Sequence, residues 1–191
     1  MKVVILAGGK GSRFSGLTKY TPKPLIKVKG KPIITRIIDH YCQYGFKDFV
    51  IPVGYRGDMI KDYFKNYDLN NSNVKITFRS NKIIEYDRKF EGMSFQVVDT
   101  GLESLTALRL YKIKDILKDE IFMLTYGDGL SDVNINKLLN FHKKHGKIAT
   151  MTIIRPPGRF GELELNDNSE ILYFKEKPKI SKGWVNGGFF I

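Results

Sequence analysis

The chain has 191 residues, a formal net charge of +12, and 42% hydrophobic and 13% aromatic residues. This composition excludes an intrinsically disordered protein and suits one ordinary domain. No run of about eighteen apolar residues occurs, and Met1 is followed by an apolar strand rather than a basic leader, so the sequence predicts a cytoplasmic protein with no membrane partner. The positive charge favours anionic partners such as nucleotides, phosphosugars or nucleic acid.

Predicted strands and helices alternate along the chain. The first strand is an uninterrupted aliphatic run, which is typical of strands buried on both faces of a parallel sheet. Strands are predicted at 2–6, 48–53, 74–79, 95–99, 121–126, 148–154, 162–166 and 170–175, and helices at 32–44, 57–67, 103–118 and 134–145; Ile191 falls inside a further strand. The alternation predicts an α/β fold in which residues 1–191 form one domain around a Rossmann-like, doubly wound, mainly parallel sheet.

A glycine-rich segment, LAGGKGSR at 6–13, follows the first strand. Ligands of doubly wound sheets bind beyond the carboxyl ends of the strands, and glycines allow several backbone N–H groups to converge on an anion. The segment lacks the glycine that a dinucleotide fingerprint needs at Phe14, and it lacks the Ser or Thr that a P-loop needs directly after Lys10. A phosphate-binding loop and a plain glycine turn remain the two alternatives.

Two cations and one carboxylate accompany this segment. Arg13 ends it, and Lys23 lies between Pro22 and Pro24, which bias the lysine toward an extended conformation and a stiff presentation. Asp128 follows the predicted strand IFMLTY and lies between two glycines. It is a candidate ligand for Mg²⁺, which needs only one or two protein carboxylates, and a simple Asp-Gly turn is the alternative.

Several segments together resemble the sugar-phosphate nucleotidyltransferases. LAGGKGSR and PKPL are followed in the family's order by YGDG (126–129), PPGRFG (156–161), EKP (176–178) and NGGFF (186–190). GYRGDMIKDYF and VVDTG resemble the cytidylyl-transferring branch, which serves the synthesis of surface polysaccharides such as lipopolysaccharide O-antigen. The resemblance covers essentially the whole chain. It implies a GT-A-like fold and an enzyme that transfers a nucleotidyl group from an NTP, with CTP favoured, to a sugar-1-phosphate, with glucose-1-phosphate favoured and Mg²⁺ as cofactor.

The resemblance also implies roles for individual residues. Arg13 is implied to act on the leaving pyrophosphate, Lys23 on the α-phosphate and Asp128 on the metal, with Lys177 as a further catalytic residue. The implied nucleotide-binding residues are Leu6, Ala7, Gly8, Gly9, Lys10, Gly11, Ser12, Arg13, Lys23, Ser104, Thr106, Arg109 and Gly127. The implied sugar-phosphate-binding residues are Gly161, Glu176, Lys177 and Asn186.

Two departures from the family pattern keep alternatives open. The cytidylyltransferases have a small-residue turn, Thr-Gly-Gly-Arg, where this sequence has Thr106, Ala107, Leu108 and Arg109, so the base specificity is open. Family members continue beyond NGGFF to a further aspartate, the second metal ligand, which this sequence does not include. The alternatives are therefore a sister transferase with another base or a non-catalytic nucleotide- or phosphosugar-binding module, and a homo-oligomer is compatible with either.

The remaining histidine, cysteine and lysine residues are interpreted as structural or surface residues. His142 and His145 lie one turn apart on a predicted helix, and we expect a solvated basic face there rather than a metal site. Cys42 is predicted to pack in a helix core. The lysines are dispersed and no nucleic-acid-reading motif occurs, which argues against a nucleic-acid partner.

Overall fold

The computed structural model of the protein describes residues 1–11, 16, 20–78, 82–86, 90–118, 120–157, 161–176, 178–179 and 183–191, with the backbone alone at 82, 83, 85 and 86. Three of the predicted site residues, Ser12, Arg13 and Lys177, lie outside this part of the chain. The binding role of Ser12 and the catalytic roles of Arg13 and Lys177 therefore stay predictions.

Strands and helices alternate through most of the described chain. In chain order the strands are β1 Lys2–Leu6, β2 Lys27–Val28, β3 Lys31–Pro32, β4 Asp48–Val53, β5 Val74–Phe78, β6 Lys82–Tyr86, β7 Ser94–Asp99, β8 Met123–Tyr126, β9 Met151–Ile154, β10 Glu162–Leu165, β11 Ile171–Lys175 and β12 Val185–Phe190. The helices are α1 Ile33–Gln43, α2 Gly57–Lys65, α3 Tyr67–Asn71, α4 Thr106–Lys112, α5 Lys114–Leu117 and α6 Ile135–His145, and Lys23–Leu25 form a 3₁₀ turn.

Six of the described strands form a central sheet in the order β7-β4-β1-β8-β12-β9. Strands β7, β4, β1 and β8 are parallel to one another, whereas β12 runs antiparallel to both β8 and β9. The predicted mainly parallel α/β sheet is therefore confirmed, and the reversal of β12 is a feature that the alternation of elements did not predict. The short hairpins β2–β3, β5–β6 and β10–β11 lie outside the central sheet.

Both faces of the central sheet are covered, as the aliphatic strand sequences predict. On one face Val3, Ile5 and Phe49 belong to a large buried cluster that includes the apolar side of α1. On the other face Val4 and Val50 pack in a cluster with residues of α4 and α5. Successive residues of a strand point to opposite faces, so a continuous aliphatic strand can be buried only between two layers of helices.

Two predicted helices are interrupted. The helix predicted at 57–67 ends at Lys65, and a separate short helix begins at Tyr67, with Asn66 between them. The helix predicted at 103–118 begins only at Thr106 and is divided at Ile113. Residues 101–105 instead form a loop, which begins with Gly101 at a φ of +86°. This loop reaches the edge of the sheet where the parallel strands end.

The two histidines of α6 are not a solvated face, and that prediction is wrong. His142 is buried, and its Nδ1 lies 2.9 Å from Oγ1 of Thr150. His145 Nε2 lies 2.7 Å from the same hydroxyl oxygen. Because Thr150 exchanges backbone hydrogen bonds with Ile191 at the end of β12, the histidines connect α6 to the sheet.

Neither a membrane-spanning helix nor a metal-ligand cluster is found in the described chain. Its helices are too short or too polar to cross a bilayer. No group of three or more His, Cys, Asp and Glu side chains with the arrangement of a metal site occurs among the described residues.

Candidate functional site

A cavity of about 390 Å³ opens where the central parallel strands end. Residues of the glycine segment after β1, the end of β8 and its following turn, and the loop between β7 and α4 contribute to its wall. Of the predicted site residues, the cavity is lined by Leu6, Ala7, Gly8, Gly9, Gly11, Lys23, Ser104, Thr106, Arg109, Gly127 and Asp128. Segments far apart in the sequence therefore meet at the edge of the sheet where a doubly wound fold binds ligands.

The order of the strands sets the distance between the strand ends that border the cavity. Strands β7 and β8 are separated by β4 and β1, and neighbouring strands of a sheet lie about 4.8 Å apart, so the ends of these two strands are roughly 14 Å apart. The wall after β7 carries Ser104 and Thr106, and the wall after β8 carries Asp128. The cavity is thus lined by residues that follow strands on both sides of β1.

Gly127 is required by the close approach of β1 and the lysine segment. Its N–H donates to the carbonyl oxygen of Leu6 at 2.9 Å. A Cβ atom at this position would lie 2.8 Å from that oxygen and 3.2 Å from Cγ of Pro24. A side chain at position 127 would therefore push the two walls of the cavity apart.

Lys23 and Asp128 form an ion pair within the cavity. Lys23 is the first residue of the 3₁₀ turn, in which the N–H of Leu25 donates to the carbonyl oxygen of Pro22 at 2.9 Å. The expected extended conformation of Lys23 is therefore wrong, because two proline φ angles also fit a tight turn. The turn still presents the ammonium group from a rigid segment, with the side chains of Lys23 and Asp128 26% and 40% exposed.

A second ion pair links the segments that follow β1 and β7. The ammonium group of Lys10 lies 2.6 Å from Oε1 of Glu103. Both side chains are largely exposed, at 53% and 77%, and neither residue belongs to the cavity lining. Such an exposed pair stabilises the fold little, so Lys10 keeps the freedom to move toward an anionic ligand.

Arg109 is an almost fully buried charged side chain in the wall of the cavity. Burial lowers the pKa of its guanidinium from the ordinary value, and the negative charge of Asp99 partly opposes this effect. Within the described chain, its guanidinium donates to oxygen atoms of three segments. The acceptors are the carbonyl oxygens of Val53 (3.0 Å), Gly101 (3.0 Å), Gly8 (2.9 Å) and Leu102 (3.4 Å), and Oγ1 of Thr100 (2.6 Å).

Of the predicted sugar-phosphate residues, the three that the structure describes, Gly161, Glu176 and Asn186, lie outside the cavity lining. Gly161 and Glu176 are neighbours beside the open end of the β10–β11 hairpin, since a Cβ at Gly161 would lie 3.0 Å from Oε2 of Glu176. Asn186 in β12 reaches the cavity through Tyr126, because its Nδ2 donates to the tyrosine hydroxyl at 3.3 Å and Tyr126 lines the cavity. The described residues thus place Asn186 next to the cavity, and Gly161 and Glu176 next to each other.

Three lining residues of the described chain were not predicted from the sequence: Pro24, Leu105 and Tyr126. Tyr126 is the last residue of β8 and precedes Gly127, so its position in the YGDG segment was an available signal. Leu105 is an apolar side chain that is 80% exposed. Its place at the cavity depends on the late start of α4, which the helical pattern did not predict.

Comparisons with known proteins identify the family of the chain. The nucleotidyl transferase family model matches residues 2–191. The chain is 44% identical over 192 residues to the glucose-1-phosphate cytidylyltransferase of Salmonella typhimurium, with 100% of this chain and 74% of the relative covered. It is 28% identical to the UTP–glucose-1-phosphate uridylyltransferase of Synechocystis sp., with 100% of this chain and 48% of the relative covered.

A solved structure extends the comparison to the fold. The structure of UDP-glucose pyrophosphorylase complexed with UDP-glucose matches with a TM-score of 0.65 at 17% identity, covering 99% of this chain and 74% of that chain. The fold is thus that of the nucleotidyltransferases, and the sequence similarity extends from end to end of the chain. The chain belongs to the nucleotidyl transferase family.

Proposed function

We propose that this protein transfers a cytidylyl group from CTP to glucose-1-phosphate and releases pyrophosphate. An oxygen of the sugar phosphate attacks the α-phosphorus of the nucleotide, a P–O bond forms there, and the bond to the pyrophosphate group breaks. The reaction belongs in the cytoplasm, where nucleoside triphosphates are available.

The observation that carries this proposal is the meeting of Lys23, Asp128 and the glycine segment in one cavity at the ends of β1 and β8. A phosphoryl-transfer site needs positioning and neutralisation of dense negative charge more than it needs covalent chemistry. The identity to the Salmonella cytidylyltransferase supports the choice of CTP and glucose-1-phosphate over other pairs.

The residues of this chain act in the reaction mainly through charge and position. Lys23 holds one unit of positive charge beside the α-phosphate, and the rigid turn fixes its direction. The backbone N–H groups of the glycine segment bind the phosphate oxygens. Thr106 and the neighbouring apolar Leu105, on the wall that follows β7, bind the nucleoside.

The donor set fits a magnesium ion. Asp128 provides a carboxylate that accepts from the ammonium group of Lys23, and it lines the cavity. Mg²⁺ takes one or two protein carboxylates and completes its shell with water and phosphate oxygens. Asp128 would hold the ion, which when bound would offset charge on the phosphates.

The experiment is pyrophosphate release by the purified protein with glucose-1-phosphate and Mg²⁺, using CTP, UTP, GTP, ATP and dTTP in separate reactions. Release with CTP, at a kcat/KM at least tenfold above that of every other nucleotide, supports the proposal. Release with another nucleotide refutes the assignment of the base and implicates the segment that contains Leu108. If no nucleotide gives release and a titration with CTP still shows binding, the protein is a nucleotide-binding module rather than an enzyme.

A further inference from the structure

The carbonyl oxygen of Gly8 accepts hydrogen bonds from two donors. Arg109 Nη2 donates to it at 2.9 Å, and the N–H of Tyr55 donates to it at 3.2 Å. In a planar trans peptide the C=O of one residue and the N–H of the next point in opposite directions. The N–H of Gly9, a residue that lines the cavity, therefore points away from the Arg109 guanidinium.

We infer that Arg109 is a positioning residue that orients the Gly9 N–H as a donor to a phosphate group of the nucleotide; the inference rests on the proposed function for the identity of that ligand. Arg109 acts through the glycine segment rather than by touching the ligand. Its buried charge is the group that fixes the peptide between Gly8 and Gly9.

The hydrogen bonds of Arg109 explain why arginine is needed for this role. Its four Nη protons face five protein oxygen atoms, which belong to the segments after β1, β4 and β7. A planar guanidinium can join three segments at fixed angles, whereas the ammonium group of a lysine acts as a point charge on a flexible stem. These protons are directed at the protein and not at the cavity.

Two glycines make room for the guanidinium. A Cβ at Gly8 would lie 2.2 Å from Cζ of Arg109, and a Cβ at Gly54 would lie 2.7 Å from Nη1. The Cβ at Gly54 would also lie 2.7 Å from the carbonyl oxygen of Gly101, so a side chain there would displace the guanidinium and the Gly101 backbone together, although Gly54 does not line the cavity. The glycine at position 8 is thus required by Arg109, in addition to any need for close approach to a phosphate.

The test compares Arg109→Lys and Gly54→Ala with Lys112→Met as the control. Lys112 is a neighbouring cation of the same helix that donates to the carbonyl oxygen of Thr100 (2.8 Å) and to Oγ of Ser104 (3.1 Å) rather than to Gly8. Amide hydrogen exchange at Tyr55, whose N–H donates to the carbonyl oxygen of Gly8, is measured by NMR without ligand, together with the shift of the Gly9 amide resonance on addition of CTP.

In Arg109→Lys we expect at least tenfold faster exchange at Tyr55 and loss of the Gly9 shift with CTP; Gly54→Ala should also lose the Gly9 shift, and Lys112→Met should keep both wild-type values. Unchanged exchange at Tyr55 in Arg109→Lys, even with weakened CTP binding, would overturn the inference, since the peptide between Gly8 and Gly9 would then keep its orientation without Arg109. Equal changes in Lys112→Met would overturn it as well. If the wild type releases no pyrophosphate, the proposed function fails, while the exchange of Tyr55 in the free protein still tests the role of Arg109.

Discussion

Replacing Lys23 by Met removes the ammonium group from the cavity and keeps most of the hydrophobic stem. In the wild type a 3₁₀ turn fixes the position of Lys23, and the side chain of this lysine is only 26% exposed. One preorganised donor of this kind contributes about 3–4 kcal/mol to transition-state stabilisation, so kcat should fall about 10²- to 10³-fold. The ion pair with Asp128 is partly exposed, so the change in the free energy of unfolding should stay below about 1 kcal/mol, which is roughly 2–4 °C in Tm.

Lys31→Met is the matched control for this change. Lys31 also forms an ion pair, with Asp39, and the two side chains are 35% and 38% exposed, but neither residue lines the cavity. Steady-state pyrophosphate release and thermal melting of both variants separate a catalytic effect from a loss of charge or stability. The reasoning is refuted if Lys23→Met keeps more than a tenth of the wild-type kcat, or if Lys31→Met loses as much activity as Lys23→Met.

Three further changes test other parts of the site and fold. Asp128→Asn should lower kcat at saturating nucleotide at least 100-fold and raise the Mg²⁺ concentration needed for half-maximal rate; a normal magnesium titration would exclude Asp128 as a ligand. Gly161→Ala places a Cβ 2.6 Å from Cε2 of Phe174, so we expect a several-fold higher KM for glucose-1-phosphate and an unchanged KM for CTP. Equal increases in the two KM values would contradict this expectation. His142→Ala removes a buried ring that lies 2.9 Å from the Thr150 hydroxyl, which should destabilise the protein by about 1–3 kcal/mol in urea denaturation with little effect on activity.

The parallel part of the sheet could be predicted because its signal is local. The aliphatic runs at 2–6 and 48–53 match β1 and β4 residue for residue. A strand buried on both faces needs apolar side chains in both directions, and few other structures need such a run. The glycine segment and Asp128 were predicted at the cavity for a related reason, since each directly follows a strand of this kind.

The parts that were not predicted depend on contacts between distant segments. The reversed direction of β12 follows from pairing with β8 and β9, and nothing within its own sequence specifies a direction. The network around Arg109 joins carbonyl oxygens of three segments, and carbonyl oxygens have no signature in a sequence. His142 lies in a stretch of basic residues, and only the tertiary structure shows that it faces Thr150.

The position of β12 has a consequence for the order in which this chain can fold. Residues 185–190 insert between β8 and β9, and Phe189 stacks against Tyr41 of α1 with ring centroids 6.1 Å apart. During synthesis the sheet can therefore form through β8 but cannot close the gap beside it until this late strand has left the ribosome. Until then β8 presents an unpaired, apolar edge to the cell. The nascent chain thus carries a risk of aggregation until β12 arrives, and rapid translation of residues 151–190 would shorten that period.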